Sequence, residues 1–324
     1  MLINGAIVAE CSNPRDLVYG FLGVLNDSRI EIEPNYALSF EEVAIDAATA
    51  IIKGLQNLDI FAVVRHRKTM ESLPSWVPAW GSSSDIGPMY PIDPRQQSDT
   101  RPNASQGRSH NWKLAKAKTD LIVHGKIIGY VNTVLPHFDR PSSENWRKTY
   151  VPYFLDLEAI CQTLKETGVC SDEQYSTRRL LSVCLADSAL NPGLQEELDQ
   201  FPDVINWGDR GALFIAYNKF KASASQPVPP PRTVDEAYYR VLQELSTIAD
   251  KRCVFGCDNG KLGLSRGVRV RDVVCILHGC TTPVILRTVD NGKYILIGIC
   301  YLESAMTGEA MNSEEEEGTE LVII

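Results

Sequence analysis

The chain contains no apolar run approaching ~20 residues, so nothing in it reads as a membrane span. It also lacks a basic surplus. Its 32 Lys and Arg stand against 41 Asp and Glu, a net charge of −9, which disfavours binding to nucleic acid or to an anionic membrane surface. The run Arg65-His66-Arg67-Lys68 has neither stacking aromatics nor a second basic patch beside it, and reads as a solvated connection. A disulfide framework is missing too. The nine cysteines (Cys11, Cys161, Cys170, Cys184, Cys253, Cys257, Cys275, Cys280 and Cys300) are odd in number and irregular in spacing. Cys161, Cys275 and Cys300 lie inside apolar runs, where a free thiol behaves as a small hydrophobe. Residues 1–9 are apolar but short and without a basic leader, so no signal peptide is read there. A cytoplasmic setting is expected, with the sequons at Asn26 and Asn103 left unmodified.

Catalytic motifs are equally sparse. The five histidines, His66, His110, His124, His137 and His278, are isolated from one another in sequence. His124 and His278 stand beside glycine in strand patterns, where a hydrogen-bonded structural histidine is the commoner explanation. The Cys253/Cys257 and Cys275/Cys280 gaps are tolerable for zinc, but the first pair flanks a strand entering a hairpin, and its alternation fits core packing. Residues 256–267 are glycine-rich without the GxGxxG order or a following helix, so they fit hairpin turns better than a phosphate cradle. Glu41-Glu42 and Glu196-Glu197 fall on helix surfaces or caps. No catalytic residue is therefore named, and no cofactor or metal is expected. Pro227-Val228-Pro229-Pro230-Pro231-Arg232 satisfies a PxxPxR pattern for aromatic-lined grooves, although a proline-rich linker explains residues 222–231 equally well.

The chain does carry clear folding signals. Asn13-Pro14-Arg15-Asp16 reads as a helix start: Asn13 caps, Pro14 suits the first turn, and Asp16 faces the positive helix end. Leu17, Val18, Phe21, Leu22 and Leu25 follow at helical spacing. Ser39-Phe40-Glu41-Glu42 is a capping box, followed by an apolar face from Phe40 and Val43 to Leu55. Residues 73–80 hold two prolines, which predict an extended segment draping Trp76 and Trp80 over the core as plugs. Residues 81–110 predict a long insertion, and 112–134 predict strands. Helical spacing returns at 153–164, more weakly at 179–190, and at 234–249. The Asn259-Gly260 and Asn291-Gly292 pairs, between the apolar runs at 252–255, 273–277, 284–286 and 294–301, predict an antiparallel meander. Residues 313–320 predict an acidic, solvated tail element around Glu314–Glu317. Together these signals predict one α+β domain: an antiparallel sheet or small barrel, with strands near 112–134 and 252–302, covered by helices.

In their order these segments resemble a known family. Residues 13–23 resemble the DPRDKVYALLGL-like block of fungal heterokaryon-incompatibility (HET) domain proteins, and Ile32-Glu33-Pro34-Asn35-Tyr36 with the helix after Ser39 resembles its continuation. Residues 73–80 are similar to an LPSWVPDW block. Residues 252–264, 267–277, 283–287 and 294–309 resemble a terminal series of a glycine-rich hairpin, a GDxVxvlxG strand, PxvLR and a YxlvGxxYxxGxmxGE close. One departure is Arg271, which precedes Asp272 where the family pattern has glycine. Another is the α/β block with which HET domains begin, carrying a CINQ-type motif and an ERxxQV-like helix, which has no counterpart here.

The resemblance implies a non-enzymatic scaffold related to non-self recognition, without the signalling block and acting on a protein partner. A binding role predicts an exposed apolar patch, placed near the 81–110 loop. The alternative is a scaffold recruited to secondary metabolism as a small-molecule-binding or cyclase-like protein, with Trp76, Trp80, Tyr294 and Tyr301 enclosing an apolar pocket. For Arg15 and Asp16 the residues themselves predict only capping and a local ion pair.

Overall fold

The computed structural model describes residues 11–22, 28–64, 72–78, 80, 102–115, 119–135, 137, 183, 248–249, 251–311 and 318–324. The basic run at 65–68, the proline-rich segment and residues 81–101 of the expected 81–110 insertion lie outside them. So do the expected helices at 153–164, 179–190 and 234–249, apart from helical Val183 and Ile248.

Helix α1 spans Asp16–Leu22, and Asn13 starts it as expected, its Oδ1 accepting from the Arg15 N–H at 3.1 Å. Helix α2 spans Phe40–Leu55 and opens with the complete capping box. The Glu42 N–H donates to Ser39 Oγ at 3.2 Å, and the Ser39 N–H donates to Glu42 Oε2 at 2.8 Å. It ends at Gln56, which turns left-handed (φ 55°) while its N–H still reaches Ile52 O at 3.0 Å. The buried face of α2 is Val43, Ala44, Ala47, Ala48, Ile51 and Ile52, and its three alanines let the backbone lie close to what it covers. A short 3₁₀ turn at Asp59–Val63 buries Ile60, Phe61 and Val63 against the same core.

Among the described residues nine strands follow: β1 Trp112–Leu114, β2 Leu121–Val134, β3 Cys253–Cys257, β4 Leu262–Ser265, β5 Val273–Leu277, β6 Val284–Thr288, β7 Tyr294–Ile299, β8 Tyr301–Leu302 and β9 Thr319–Ile323. The order in the sheet is β5-β6-β7-β9-β2-β3-β4-β8, with β1 on β2 and a further β2–β5 pairing. The long β2 therefore organises the fold. It pairs β1 and β9 along its first residues, β5 through Gly125–Tyr130 and β3 at its end. The circuit β5-β6-β7-β9-β2-β5 is joined at β7–β9 by one parallel bridge, Tyr294↔Ile323. The molecule has the expected α+β class, the pairings within the expected meander at 252–302 are antiparallel, and the sheet becomes mixed at the single bridge to β9. Both Asn-Gly pairs lie at turns. Residues 258–260 link β3 to β4, and Asp290–Gly292 forms a 3₁₀ turn between β6 and β7, with Asn291 left-handed at φ 66°.

Of the acidic element expected at 313–320, residues 313–317 lie outside the described residues and Thr319 and Glu320 are exposed at the start of β9, whose Leu321 and Ile323 enter the core. One expectation needs correction. The segment 73–80 is not extended but a succession of turns, Val77 N–H to Pro74 O at 3.1 Å and Trp80 N–H to Pro78 O at 3.1 Å. Proline fixes φ near the value of a turn's second residue as readily as that of extended chain. The segment does drape over the core. Trp76 and Trp80 are buried, the Trp76 Nε1–H donates to Thr119 O at 2.9 Å, and the Leu296 N–H donates to Ser75 Oγ at 2.9 Å.

The sheet separates two apolar clusters. α1, α2, the 3₁₀ turn and Trp76 pack on one side, against Leu121, Val123, Val273, Cys275, Leu277, Leu286, Leu296 and Leu321. Val131, Phe255, Val274, Ile276, Ile285, Ile297 and Met311 form the other. Strand alternation sends Val273, Cys275 and Leu277 to the first cluster and Val274 and Ile276 to the second, so β5 is buried on both faces. No helix among the described residues is long and apolar enough to cross a membrane.

Candidate functional site

β5 is entered through a polar clamp. The Val273↔Leu286 pairing puts Asp272 opposite Arg287, and their side chains meet as a bidentate pair. Arg287 Nε donates to Asp272 Oδ1 at 2.8 Å and its Nη2 to Oδ2 at 2.8 Å. Nη2 also donates to Gly267 O at 2.7 Å, and the Arg269 N–H donates to Asp272 Oδ2 at 2.7 Å. The carboxylate side chain is 3% exposed and the guanidinium 16%. The clamp thus fixes residues 267–272 against β6. Both oxygens of Asp272 are engaged, which fits a positioning role.

The clamp holds up a surface ridge. Arg269, Val270 and Arg271 face outward beside Tyr130, with Val270 54% and Tyr130 49% exposed. The Arg271 N–H donates to Val131 O and the Val131 N–H to Asp272 O, both at 2.8 Å, so the two stretches run side by side. Asp258 stands at the rim, its Oδ1 accepting from the Tyr130 N–H at 3.0 Å. Arg271 adopts φ 75° without being glycine. Among the described residues the exposed large apolar side chains are Tyr36, Tyr130 and Val270. Among the described residues an exposed apolar patch lies at 130 and 270; of the 81–110 loop, residues 81–101 lie outside the described residues and the described part contributes buried Ala104 and Ser105. Sequence reading missed the ridge because it is made by the β2–β5 register, which joins residues far apart in the chain.

The N-terminal block forms a second surface. Arg15 Nε donates to Leu38 O at 2.5 Å, and the Tyr36 hydroxyl donates to Asp16 Oδ1 at 2.7 Å. The Tyr19 hydroxyl donates to Asn35 O and accepts from the Asn35 N–H, both at 3.1 Å. Tyr19 and Tyr36 meet edge to face at 5.2 Å. Instead of the expected Arg15–Asp16 ion pair, each residue reaches across to residues 36–38. Asp16 and burial hold the Tyr36 hydroxyl above the ordinary tyrosine range.

The histidines separated in sequence are partly reunited. The His278 N–H donates to His124 O at 2.9 Å just past the end of β5, and Glu320 pairs with His124 from the other side. His124 Nδ1 lies 3.4 Å from Asn111 O. At His278 the Nε2 departs from the satisfied histidine expected: it is buried with no hydrogen-bond partner among the described residues. Burial, the Arg108 cation and His124 all push its pKa below the usual imidazole range. His110 lies in the same neighbourhood, against Gly279 beside His278 and next to Asn111; His137 is also described, and His66 lies outside the described residues.

The described cysteines are free thiols. Burial pushes Cys253 up to about 11 and Cys275 and Cys280 up to about 12; burial and the nearby Asp258 charge take Cys257 to about 12. Such thiols stay protonated at neutral pH and are poor nucleophiles. Asp59 is raised by burial and held by Thr281, whose N–H and Oγ1 donate to its Oδ1 at 2.8 and 2.9 Å, stitching the 3₁₀ turn to the β5–β6 connection. Among the described residues no group of three or more His, Cys, Asp or Glu is placed to hold a metal ion. Trp76, Trp80 and Tyr301 are buried in the core and Tyr294 is half-buried, so they act as packing side chains in this fold.

No family model matches the chain, and no curated protein and no solved structure matches it.

Proposed function

We propose that this chain is a HET-family scaffold that acts by binding a protein partner in the cytoplasm, in connection with fungal non-self recognition, and not by catalysing a reaction. The observation that carries the reading is the clamp. Asp272 and Arg287 belong to two separate motifs of the resemblance, and they meet in a buried bidentate pair that supports an exposed ridge. The departure at Arg271 supports it too. A left-handed residue stands at the place where the family pattern has glycine, the residue for which that conformation carries no steric penalty. On this reading Tyr130, Val270, Arg269 and Arg271 are the contact residues: an aromatic and an aliphatic anchor flanked by arginines, the residue types that carry protein interfaces.

The test is genetic. Deleting the gene in the fungus that encodes it, and pairing the deletion strain with a panel of wild isolates, should change the incompatibility barrage with at least one of them. Arg269→Glu with Arg271→Glu in the chromosomal copy should reproduce that change. Unaltered barrages sink the reading. Loss of a single secondary metabolite alongside unaltered barrages transfers the case to the small-molecule alternative.

A further inference from the structure

The exposed apolar residues fall into two groups whose surroundings carry opposite charge. Tyr130 and Val270 are flanked by Arg269 and Arg271, with Asp258 the acid at the rim. Tyr36, 54% exposed, projects from an acidic surface: Asp16 holds its hydroxyl, Glu31 and Glu33 precede it on the same exposed segment, and Glu41 and Glu42 follow on the first turn of α2. Arg15 is the cation within this surface, its Nε held by the Leu38 carbonyl, and the acids around it outnumber it. A basic ridge on a chain of net charge −9 stands out against its own background.

From these two patches we infer that the partner on the ridge is a second copy of this chain, presenting its Tyr36 face. Each side supplies an aromatic anchor, and the charges around the anchors are complementary, which steers encounter and fixes orientation. Like-with-like contacts of either patch are opposed by their own charge. The contact is therefore head-to-tail, and repeated association builds an open chain of molecules unless it closes into a ring. The exposed charges make the association dependent on ionic strength, because screening acts over about 8 Å at physiological salt. This inference rests on the ridge being a protein-binding surface, as proposed above, but not on the family resemblance.

The test uses the full-length protein in sedimentation velocity. The wild type should show an average mass that rises with concentration at low salt and falls back as salt is added. Glu31→Lys with Glu33→Lys, and separately Arg269→Glu with Arg271→Glu, should each weaken self-association roughly tenfold or more, as lost charge pairs across an interface do. The altered side chains are exposed, and the neutral forms Glu31→Gln/Glu33→Gln and Arg269→Gln/Arg271→Gln give the same reading at half the charge change should a reversal disturb folding. The deciding sample is the equimolar mixture of the two charge-reversed proteins. One retains a working ridge and the other a working Tyr36 face, and the two reversed patches are again opposite in charge, so the mixture should regain the association that each protein alone has lost. A wild type that stays monomeric at all concentrations, or a mixture that does not pair, overturns the second copy as occupant. If Arg269→Glu/Arg271→Glu nevertheless alters the barrage, the protein-binding reading stands and the partner is a different protein.

Discussion

The two ends of β5 meet the same problem and solve it differently. At the entry, Asp272 takes a carboxylate into the fold and gives it Arg287 and the Arg269 N–H as partners. At the exit, His278 takes an imidazole in and leaves Nε2 with none, beside Arg108 and against Gly318. The strand between them is buried on both faces. Its apolar side chains supply the drive to fold, and the polar groups at its ends decide only how much of that drive is retained. The contrast shows that burial of a polar group is a liability whose size is set by its partners.

The largest expected effect comes from spoiling the satisfied end. Asp272→Ala leaves the Arg287 guanidinium in its largely buried place with only Gly267 O to accept from it, and removes the acceptor of the Arg269 N–H. Loss of one member of a buried pair costs about 3–5 kcal/mol, to be read from the urea midpoint at unchanged m-value. A smaller loss, about 1.5–3 kcal/mol, is expected for Arg287→Lys, because an ammonium cannot serve both carboxylate oxygens and Gly267 O with the fork geometry of arginine. If Lys were tolerated without loss, the clamp would be a simple charge contact and the ridge would not depend on its geometry.

The opposite sign is expected one residue earlier. Arg271 sits at φ 75°, where a side chain on an L-residue clashes with its own backbone and the penalty is about 1–2 kcal/mol. Arg271→Gly removes that penalty but gives the unfolded chain more freedom. The net gain should be under about 1 kcal/mol, visible as a small rise in melting temperature. A loss would mean that the arginine side chain contributes more to the fold than its strained backbone takes away.

These residues also mark what sequence alone could convey. The capping box at Ser39, the helix start at Asn13 and both Asn-Gly turns are local: each is set by a few neighbouring side chains acting on their own backbone, and each is where the pattern put it. β9 was not read from the sequence, because the run Leu321-Val322-Ile323 is too short to show an alternation of its own. The ridge and the Asp272–Arg287 pair were not legible as contacts. They depend on register between β2, β5 and β6, and a register is chosen by the whole core rather than by any window of sequence. The same holds for His124 and His278, which are 154 positions apart (278 − 124) and become neighbours only because Gly125 pairs with Leu277. Chemistry was read as absent because its usual signal is proximity in the chain, whereas this fold assembles its polar groups across strands.

The unsatisfied end of β5 makes the smallest prediction and the one with a sign that can be read against pH. The His278 pKa is lowered in the fold by burial, by the Arg108 cation and by His124, whereas the unfolded chain holds it near about 6.5. As pH falls through that unfolded value, the unfolded state takes up a proton that the folded state still refuses. Stability therefore declines from about pH 6.5 downward and levels off once the folded imidazole is also protonated. His278→Leu removes both the orphaned nitrogen and the titration. Its stability should match or slightly exceed the wild type at pH 7, and the difference in its favour should widen as the pH is lowered through this window. Urea titrations of the two proteins at matched pH values give the comparison directly. A leucine variant that parallels the wild type at every pH would show that the acid-sensitive group lies elsewhere, with His124 the next to substitute. A variant much weaker at pH 7 would show that the imidazole packs for its shape, making the exit of β5 as well fitted as its entry.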